Sequence, residues 1–231
     1  EAREKVAALI HADPREIIFT SCGTESNNAA LNSALLTQPG KRHLVTTAVE
    51  HSANMKFGQM HEKRGGEVSW IPVDRAGQID VHELQEAIRE DTAAVSVMLA
   101  NNETGVVFPI EEIAAICRIK GVPFHTDAVQ TAGKLKLDVK AMGVDFLSLS
   151  AHKLHAPKGI GLLYARQGVA WQPYVIGGGQ ESGRRGGTEN VPYIVAFGKA
   201  AELAVTSLEN DVDRIRALRD RMEDSIMERI P

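Results

Sequence analysis

The sequence predicts an α/β domain of three layers, with helices packed on both faces of a mainly parallel sheet. Short β-branched runs alternate with helical patterns through most of the 231 residues, which is typical of parallel strands joined by crossover helices. One candidate strand, Ala93 to Leu99 (AAVSVML), is apolar at nearly every position, as expected when both faces of a strand are covered. Such sheets bind ligands beyond the carboxyl ends of their strands, so we expect functional residues there.

Seven β-branched or apolar runs, separated by turn residues, predict the strands of this sheet. In chain order they are EIIFT, HLVTT, EVSWI, AAVSVML, VPFHTD, VDFLSLS and GIGLLYA. The first helix is entered through Gly23 and Thr24, and the second runs to about Arg64, where two glycines end it. Asp80 is the expected N-cap of the helix VHELQEAIRE, and Pro109 starts a helix that runs to about Lys120.

The last part of the chain has a different pattern, with apolar residues at helical spacing and charges between them. These residues are Val212, Ile215, Leu218, Met222, Ile226 and Ile230. The spacing predicts a long amphipathic helix. Its apolar face packs either on the sheet domain or on a neighbour outside this sequence.

Composition and charge exclude several classes of function. The net charge is −4 and the basic residues form no stripe, which argues against a nucleic-acid partner. We expect no membrane partner, because no apolar stretch looks long enough to span a bilayer and no signal peptide opens the chain. Cys22 and Cys117 lie far apart without metal-ligand spacing, so we expect no metal site and a reduced, cytoplasmic location.

The stretch between the first strand and the first helix, TSCGTES, is suited to a phosphate group. A helix start offers free N–H groups and the positive end of the helix dipole. Gly23 lets the backbone approach a ligand, and the hydroxyl of Thr24 adds a donor. The alternative is that Thr24 only caps its helix.

Polar residues follow three further strands. His51 follows HLVTT, and Asn101, Asn102 and Glu103 follow AAVSVML, where they bind either one another in a turn or a ligand. Asp127 ends VPFHTD, with Gln130 three residues on. A carboxylate at a buried strand end needs a cation or several donors; a protonated pyridine nitrogen is one such cation, and a cap for the next segment is the alternative.

The stretch SLSAHKLHAPKGIG places a lysine where a buried strand ends. Partial burial lowers the pKa of a lysine and frees its amine to form an imine with an aldehyde, although a surface lysine near a turn is the alternative. Lys153 is preferred over Lys158, which lies inside a Pro-Lys-Gly turn. A helix start for phosphate, a carboxylate for a ring nitrogen and an imine-forming lysine together are what pyridoxal phosphate requires.

Six ordered motifs carry a resemblance to a known family. FTSCGTESNN, EHSAN, NNETG, HTDAVQTAGK, SAHKLHAPKGIG and GGGQESGRRGGTEN resemble the cysteine desulfurases of the class V aminotransferase family, within the fold-type I pyridoxal-phosphate enzymes. The likeness is nearest to the NifS-like, nitrogen-fixation branch, with the IscS-like branch close to it. It implies a large pyridoxal-phosphate-binding domain over residues 1–205, incomplete at its N-terminus, and a helix over 206–231 that leads toward a largely missing small domain.

The resemblance also implies a role for each matching residue. Lys153 binds the cofactor aldehyde covalently and moves the substrate proton, and His51 stacks on the ring and takes part in proton transfer. The other cofactor-binding residues implied are Gly23, Thr24, Asn102, Asp127, Gln130, Ser150, His152 and Thr188. Thr188 matches the threonine that reaches the phosphate of the other subunit, which implies a homodimer; without the resemblance, its glycine-rich segment indicates only a flexible loop.

The implied reaction converts L-cysteine to L-alanine and leaves the sulfur on an enzyme cysteine as a persulfide. An iron–sulfur scaffold or another acceptor protein then takes the sulfur. In the family the nucleophilic cysteine and the substrate-binding arginine lie downstream of this sequence, so we expect this chain to hold the cofactor without completing desulfuration. The alternatives are a selenocysteine lyase or another class V aminotransferase, and a non-catalytic scaffold that kept the fold.

Overall fold

A single sheet of seven strands forms the centre of the computed structural model, which describes residues 1–230. Its order is β1-β7-β6-β5-β4-β2-β3. The strands are β1 (Ile17–Thr20), β2 (His43–Thr47), β3 (Glu67–Ile71), β4 (Thr92–Ser96), β5 (Phe124–Asp127), β6 (Phe146–Ser150) and β7 (Gly161–Ala165). All neighbours are parallel except β7, which runs antiparallel to both β1 and β6. The predicted, mainly parallel sheet is confirmed.

Helices cover both faces of this sheet. They are α1 (Ala2–Leu9), α2 (Gly23–Leu36), α3 (Ser52–Lys63), α4 (Val81–Ala87), α5 (Ile110–Lys120), α6 (Val139–Met142) and α7 (Val191–Arg229). Leu147 of β6 belongs to the large core that also contains residues of α1, α4, α5 and α7. Its neighbour Phe146 belongs to a separate core that contains residues of α2. Because successive strand residues point to opposite faces, these two cores confirm the three-layer architecture.

Local signals set most of the helix ends. The Asp80 carboxylate accepts a hydrogen bond from His82 N (2.8 Å) and so caps α4, as predicted. Gly121 ends α5 with a φ of 66°, a conformation that glycine adopts without strain. Two predicted elements are too long. Helix α4 ends at Ala87 rather than Glu90, and β4 ends at Ser96 rather than Leu99.

Helix α7 has 39 residues and two different surroundings. Near its start, Phe197 and Ala201 are fully buried in the large core, where α7 packs along α1. Farther along, Ile215, Leu218 and Met222 are about half exposed or more. These residues therefore do not pack on the sheet domain, and that alternative from the sequence is wrong for them. The helix passes residue 205 without a break, so the division into two domains there remains a prediction.

One helix in residues 1–230, α7, is long and apolar enough by length and composition to cross a membrane, with a mean hydropathy of 1.2 in its most apolar window. The expectation that no stretch reaches this length is therefore wrong. Burial of Phe197 and Ala201 in the core accounts for part of this apolar character. Glu202 of the same helix forms ion pairs with Lys199 (2.7 Å) and with Lys5 of α1 (2.5 Å).

Candidate active site

Apart from Thr188, the predicted site residues follow the carboxyl ends of β1, β2, β4, β5 and β6. Asp127 and Ser150 are the last residues of β5 and β6, and His51 follows β2 by four residues. The start of α2 lies against the same edge: a Cβ placed on Gly23 would stand 2.8 Å from Val129 Cγ2 and 3.5 Å from Ser150 Cβ. Only a glycine fits between these segments, so the structure brings the phosphate-type turn directly beside the ends of β5 and β6.

The N-terminus of α2 is free of any side-chain cap. Its N-cap is Cys22, whose side chain accepts no hydrogen bond from the helix, and Thr24 is an exposed residue of the first turn. The alternative that Thr24 only caps its helix is therefore wrong. Glu25, the acidic residue of that turn, pairs with Arg185 at 2.9 Å. Burial raises the pKa of Glu25, but the hydrogen bonds from Arg185 and Ser21 outweigh burial and hold it below its usual range. The helix start is thus available to an anion.

The lysine and its neighbours lie in a short 3₁₀ turn, Ala151–Leu154, that follows β6 directly. Lys153 is half-buried, whereas Lys158 is exposed, as the sequence predicts. Ser150 Oγ lies 2.9 Å from His152 Nδ1. Burial and the positive charge of Lys153 lower the pKa of His152, so this imidazole is neutral near pH 7 and free to hydrogen-bond through its second nitrogen.

Asp127 is buried, with 6% of its surface exposed. Its Oδ1 accepts a hydrogen bond from Val129 N (3.0 Å), and its Oδ2 accepts one from Asn27 Nδ2 (2.6 Å). Burial raises the pKa of this carboxyl, while the two hydrogen bonds and the nearby charge of His51 act against that rise. No lysine or arginine within residues 1–230 pairs with Asp127. Two uncharged donors, and no ion pair with a lysine or arginine, thus hold this carboxylate in the described part of the chain.

Asn27 is a site residue that the sequence analysis did not identify. It is 1% exposed, and its Oδ1 has no hydrogen-bond partner in the described part of the chain. A signal was present, because Asn27 lies four residues after Gly23 and residues at that spacing share one face of a helix.

His51 is the N-cap of α3 and lies close enough to Asp127 for their charges to interact. Its Nδ1 accepts a hydrogen bond from Ala53 N (3.2 Å), so the neutral ring carries its proton on Nε2. The residue before it, Glu50, is 7% exposed and was also missed by the sequence analysis.

The predicted residues Asn102 and Gln130, and Asn101 beside the first, have different surroundings. Of the adjacent asparagines, Asn101 holds the turn: its Oδ1 accepts from Glu103 N (2.9 Å) and its Nδ2 donates to Val49 O (3.0 Å). Asn102 is exposed beside it. Gln130 Oε1 lies 3.4 Å from Lys134 Nζ, which leaves the amide nitrogen of Gln130 free to donate elsewhere.

Thr188 does not join the other site residues within this chain. It is exposed in a groove of about 200 Å³ that Ser21 and Gly159 also line, while Thr24 and Ser150 lie outside that groove. Its glycine-rich segment is anchored rather than loose. Glu181 in that segment is buried and accepts hydrogen bonds from Arg3, the shorter at 2.7 Å, and from Phe19 N (3.0 Å).

This fold and site define an α/β protein with an uncapped helix start, a buried carboxylate and a half-buried lysine gathered at the strand ends. The pattern of the class-V aminotransferases matches residues 1–231. The chain belongs to the class-V aminotransferase family.

The chain is also similar to individual proteins with names of their own. Cysteine desulfurase 2 of Trichormus variabilis is 56% identical over 231 residues, which are 100% of this chain and 58% of the relative. The solved structure of a NifS-like protein superposes with a TM-score of 0.94 at 42% identity, covering 98% of this chain and 63% of that one. A structure described as SspA in complex with cysteine superposes with a TM-score of 0.84 at 42% identity, covering 87% and 59%. This chain thus spans about three-fifths of the length of these proteins.

Proposed function

We propose that the protein is a pyridoxal-phosphate-dependent cysteine desulfurase, and that residues 1–231 contain its cofactor-binding domain. The observation that carries this proposal is the arrangement of Lys153, Asp127 and the free start of α2 at one edge of the sheet. The names of the relatives support the same activity.

The residues present fit the cofactor. The uncapped start of α2, with Ser150 and His152 beside it, provides donors for a phosphate, and a Cβ at Gly23 would close this cradle. Asp127 is a buried carboxylate without a cationic partner in the described residues, as a protonated ring nitrogen requires. The unpartnered Oδ1 of Asn27 adds a buried acceptor at the same place. When bound, pyridoxal phosphate supplies an electron sink for the charge left at the substrate α-carbon.

The side chains of this chain then bind, orient and move protons. Lys153 Nζ would bind the cofactor aldehyde, and its amine is the group of this chain that would accept and return the substrate α-proton. Asp127 would hold a proton on the ring nitrogen, and Asn27 holds Asp127 in place through its 2.6 Å hydrogen bond. His51, with its proton on Nε2, would contact the ring, and the free amide nitrogen of Gln130 would donate to the ring hydroxyl oxygen.

Neither cysteine of this chain is suited to receive the sulfur. Cys117 is 1% exposed, and burial raises the pKa of its thiol to about 12, so it is not a thiolate near pH 7. Cys22 lies in the turn that we assign to the phosphate, so we assign it to packing beside the cofactor. We therefore place the persulfide-forming cysteine outside residues 1–231. Transfer of its sulfur to an iron–sulfur scaffold or another acceptor, in the cytoplasm, is part of the same proposal.

A homodimer also belongs to this proposal. Thr188 is exposed and lies apart from Thr24 and Ser150 of its own chain, while ion pairs hold its segment in place. A threonine fixed in this way can approach the phosphate site of a second copy. Sedimentation of the cofactor-loaded protein tests this, since a monomer at micromolar concentration would contradict it.

The cofactor assignment has a direct test with a matched control. The protein is incubated with pyridoxal phosphate, reduced with borohydride, and digested for peptide mapping. We expect the label on Lys153, its loss in Lys153→Ala, and full labelling in Lys158→Ala, because Lys158 is exposed in the neighbouring turn. A label on another lysine, or no label, would contradict the proposal.

The reaction is tested on a form of the protein as long as its relatives. With L-cysteine and a reductant, we expect alanine and sulfide in equal amounts. Alanine with selenide only from selenocysteine, or an amino-group transfer to a keto acid, would instead favour another member of the family.

A further inference from the structure

Glu50 makes three hydrogen bonds that join separate segments of the site. Its Oε1 accepts from Thr47 Oγ1 (3.0 Å) at the end of β2 and from Met98 N (2.8 Å) after β4. Its Oε2 accepts from Asn54 Nδ2 (2.9 Å) in the first turn of α3. Because this carboxylate is only 7% exposed and accepts three hydrogen bonds, the fold holds it in a defined position.

These contacts place Glu50 between the predicted ring-binding residues. Glu50 directly precedes His51 in the same loop. The hydrogen bond from Met98 N to Glu50 therefore fastens this loop to the segment that follows β4. The next residue, Leu99, donates its N–H to the backbone oxygen of Asp127 (2.9 Å). Two consecutive residues after β4 therefore connect Glu50 with Asp127, and the charge of Asp127 acts on Glu50.

The charged and titratable groups that face Glu50 are few. Asp127 faces it from β5, and His51 adjoins it in its own loop. The hydrogen-bond partners that it meets from β2, β4 and α3 are all uncharged. Within residues 1–230 no lysine or arginine forms an ion pair with Glu50.

A row of buried hydrogen bonds continues from Glu50 beneath the site. Asn54 Nδ2 also lies 3.4 Å from Ser96 Oγ, which lies 2.8 Å from His125 Nδ1, and His125 Nε2 lies 2.9 Å from Ser148 Oγ. Burial lowers the pKa of His125 to about 3, so this histidine stays neutral and adds no charge. The row connects Glu50 to β5 and β6, two residues before Asp127 and Ser150.

We infer that Glu50 is a positioning residue of the proposed pyridoxal phosphate site, which fixes the loop that carries His51 through its hydrogen bond to Met98 N and, buried without a cation, holds a proton until the cofactor binds. This inference rests on the proposed cofactor. Two buried carboxyls without a cation do not both ionise readily near neutral pH. In the proposed site Asp127 is the ionised carboxyl opposite the ring cation, and that cation lowers the cost of ionising Glu50 as well. Cofactor binding therefore releases a proton from Glu50.

The test compares Glu50→Gln with a matched control, Glu16→Gln. Glu16 is 8% exposed and its carboxylate also accepts two backbone hydrogen bonds, from Asp13 N and Gln167 N, far from the site. Carbon-13 NMR of glutamate side chains follows Glu50 in the cofactor-free protein. We expect a midpoint near pH 7 that is absent in Glu50→Gln and unchanged in Glu16→Gln.

The second measurement is the dissociation constant of pyridoxal phosphate at pH 6 and pH 8. We expect the dissociation constant to fall from pH 6 to pH 8 in the wild type and in Glu16→Gln. This fall should be at least about threefold larger than in Glu50→Gln, which has no Glu50 proton to release. If Glu50→Gln does not fold, Thr47→Val removes one donor to the carboxylate and must raise the NMR midpoint.

The outcomes are distinguishable. Absence of cofactor binding by the wild type refutes the proposed function, whereas the NMR midpoint is measured without cofactor. A midpoint below pH 5, or equal pH dependence of cofactor binding in the two glutamine variants, overturns the inference.

Discussion

Replacing Glu50 with glutamine should change how the stability of the cofactor-free protein depends on pH. Burial is the main cause that raises the pKa of Glu50 from 4.5 to about 7. The folded state therefore holds a proton on Glu50 that the unfolded state has already lost between these two values. The stability that this protonated carboxyl contributes is fully present below pH 4.5 and is lost as the pH rises through 7.

The size of the effect follows from that shift. One pKa unit corresponds to about 1.4 kcal/mol, so the shift from 4.5 to about 7 is worth about 3 kcal/mol, most of it between pH 5 and 8. His125 acts in the opposite direction, because its pKa is lowered to about 3 and its neutral form loses stability as the pH falls below 6.5. The difference between variant and wild type cancels the contribution of His125 and isolates that of Glu50.

Urea unfolding of wild type, Glu50→Gln and Glu16→Gln from pH 5 to pH 8 measures this difference. We expect the free energy of unfolding of Glu50→Gln to rise relative to wild type by about 2–3 kcal/mol from the acid to the alkaline end. Glu16→Gln should show no such trend. Parallel pH profiles for wild type and Glu50→Gln would refute the reasoning, since Glu50 would then titrate alike in both states.

Three further predictions concern other parts of the protein. Gly161→Ala should weaken pyridoxal phosphate binding and cost about 1–3 kcal/mol of stability, because its Cβ would lie 2.6 Å from the backbone of the phosphate-binding turn. Arg3→Met should leave the buried carboxylate of Glu181 without its cation, destabilise the protein by about 3 kcal/mol, and make the glycine-rich segment sensitive to trypsin. In the folded protein a maleimide should modify Cys117 far more slowly than the other cysteine, and at a similar rate in urea.

For each of these predictions, a specific experimental outcome would contradict the reasoning. Gly179→Ala is the control for the first, because no atom lies within 4 Å of its Cβ position, and equal cofactor binding by both alanine variants would contradict the steric argument. Unchanged trypsin cleavage after Arg184 in Arg3→Met would show that other contacts anchor the segment. Rapid modification of Cys117 in the native protein would show that it is not buried.

The sequence predicts the features of this protein that depend on near neighbours. The alternation of strands and helices, the Asp80 cap and the position of Lys153 after β6 all follow from local patterns, and the structure agrees with each. The carboxyl ends of parallel strands meet at one edge, which is why Asp127 and Ser150 could be assigned to one site before any coordinates were known.

Features that depend on distant pairs could not be predicted in this way. Asn27 contacts Asp127 across 100 residues of sequence, and the burial of Glu50 depends on a backbone amide that follows β4. The ion pair between Arg3 and Glu181 has no local pattern either. Helical periodicity does find the apolar stripe near Ile215 in α7, but it does not say whether that stripe is covered, and it is half exposed.

The residues that pack around the turn proposed to bind phosphate are synthesised long after the turn itself. Gly23 starts α2, but the atoms that enclose it belong to Val129 and Ser150, and Gly161 packs on the turn from β7. At ordinary translation rates the ribosome needs on the order of ten seconds to make the residues that separate these segments. A nascent chain therefore displays the helix start long before any enclosure exists around it. In the proposed function, the phosphate site is therefore complete only after the central strands have assembled.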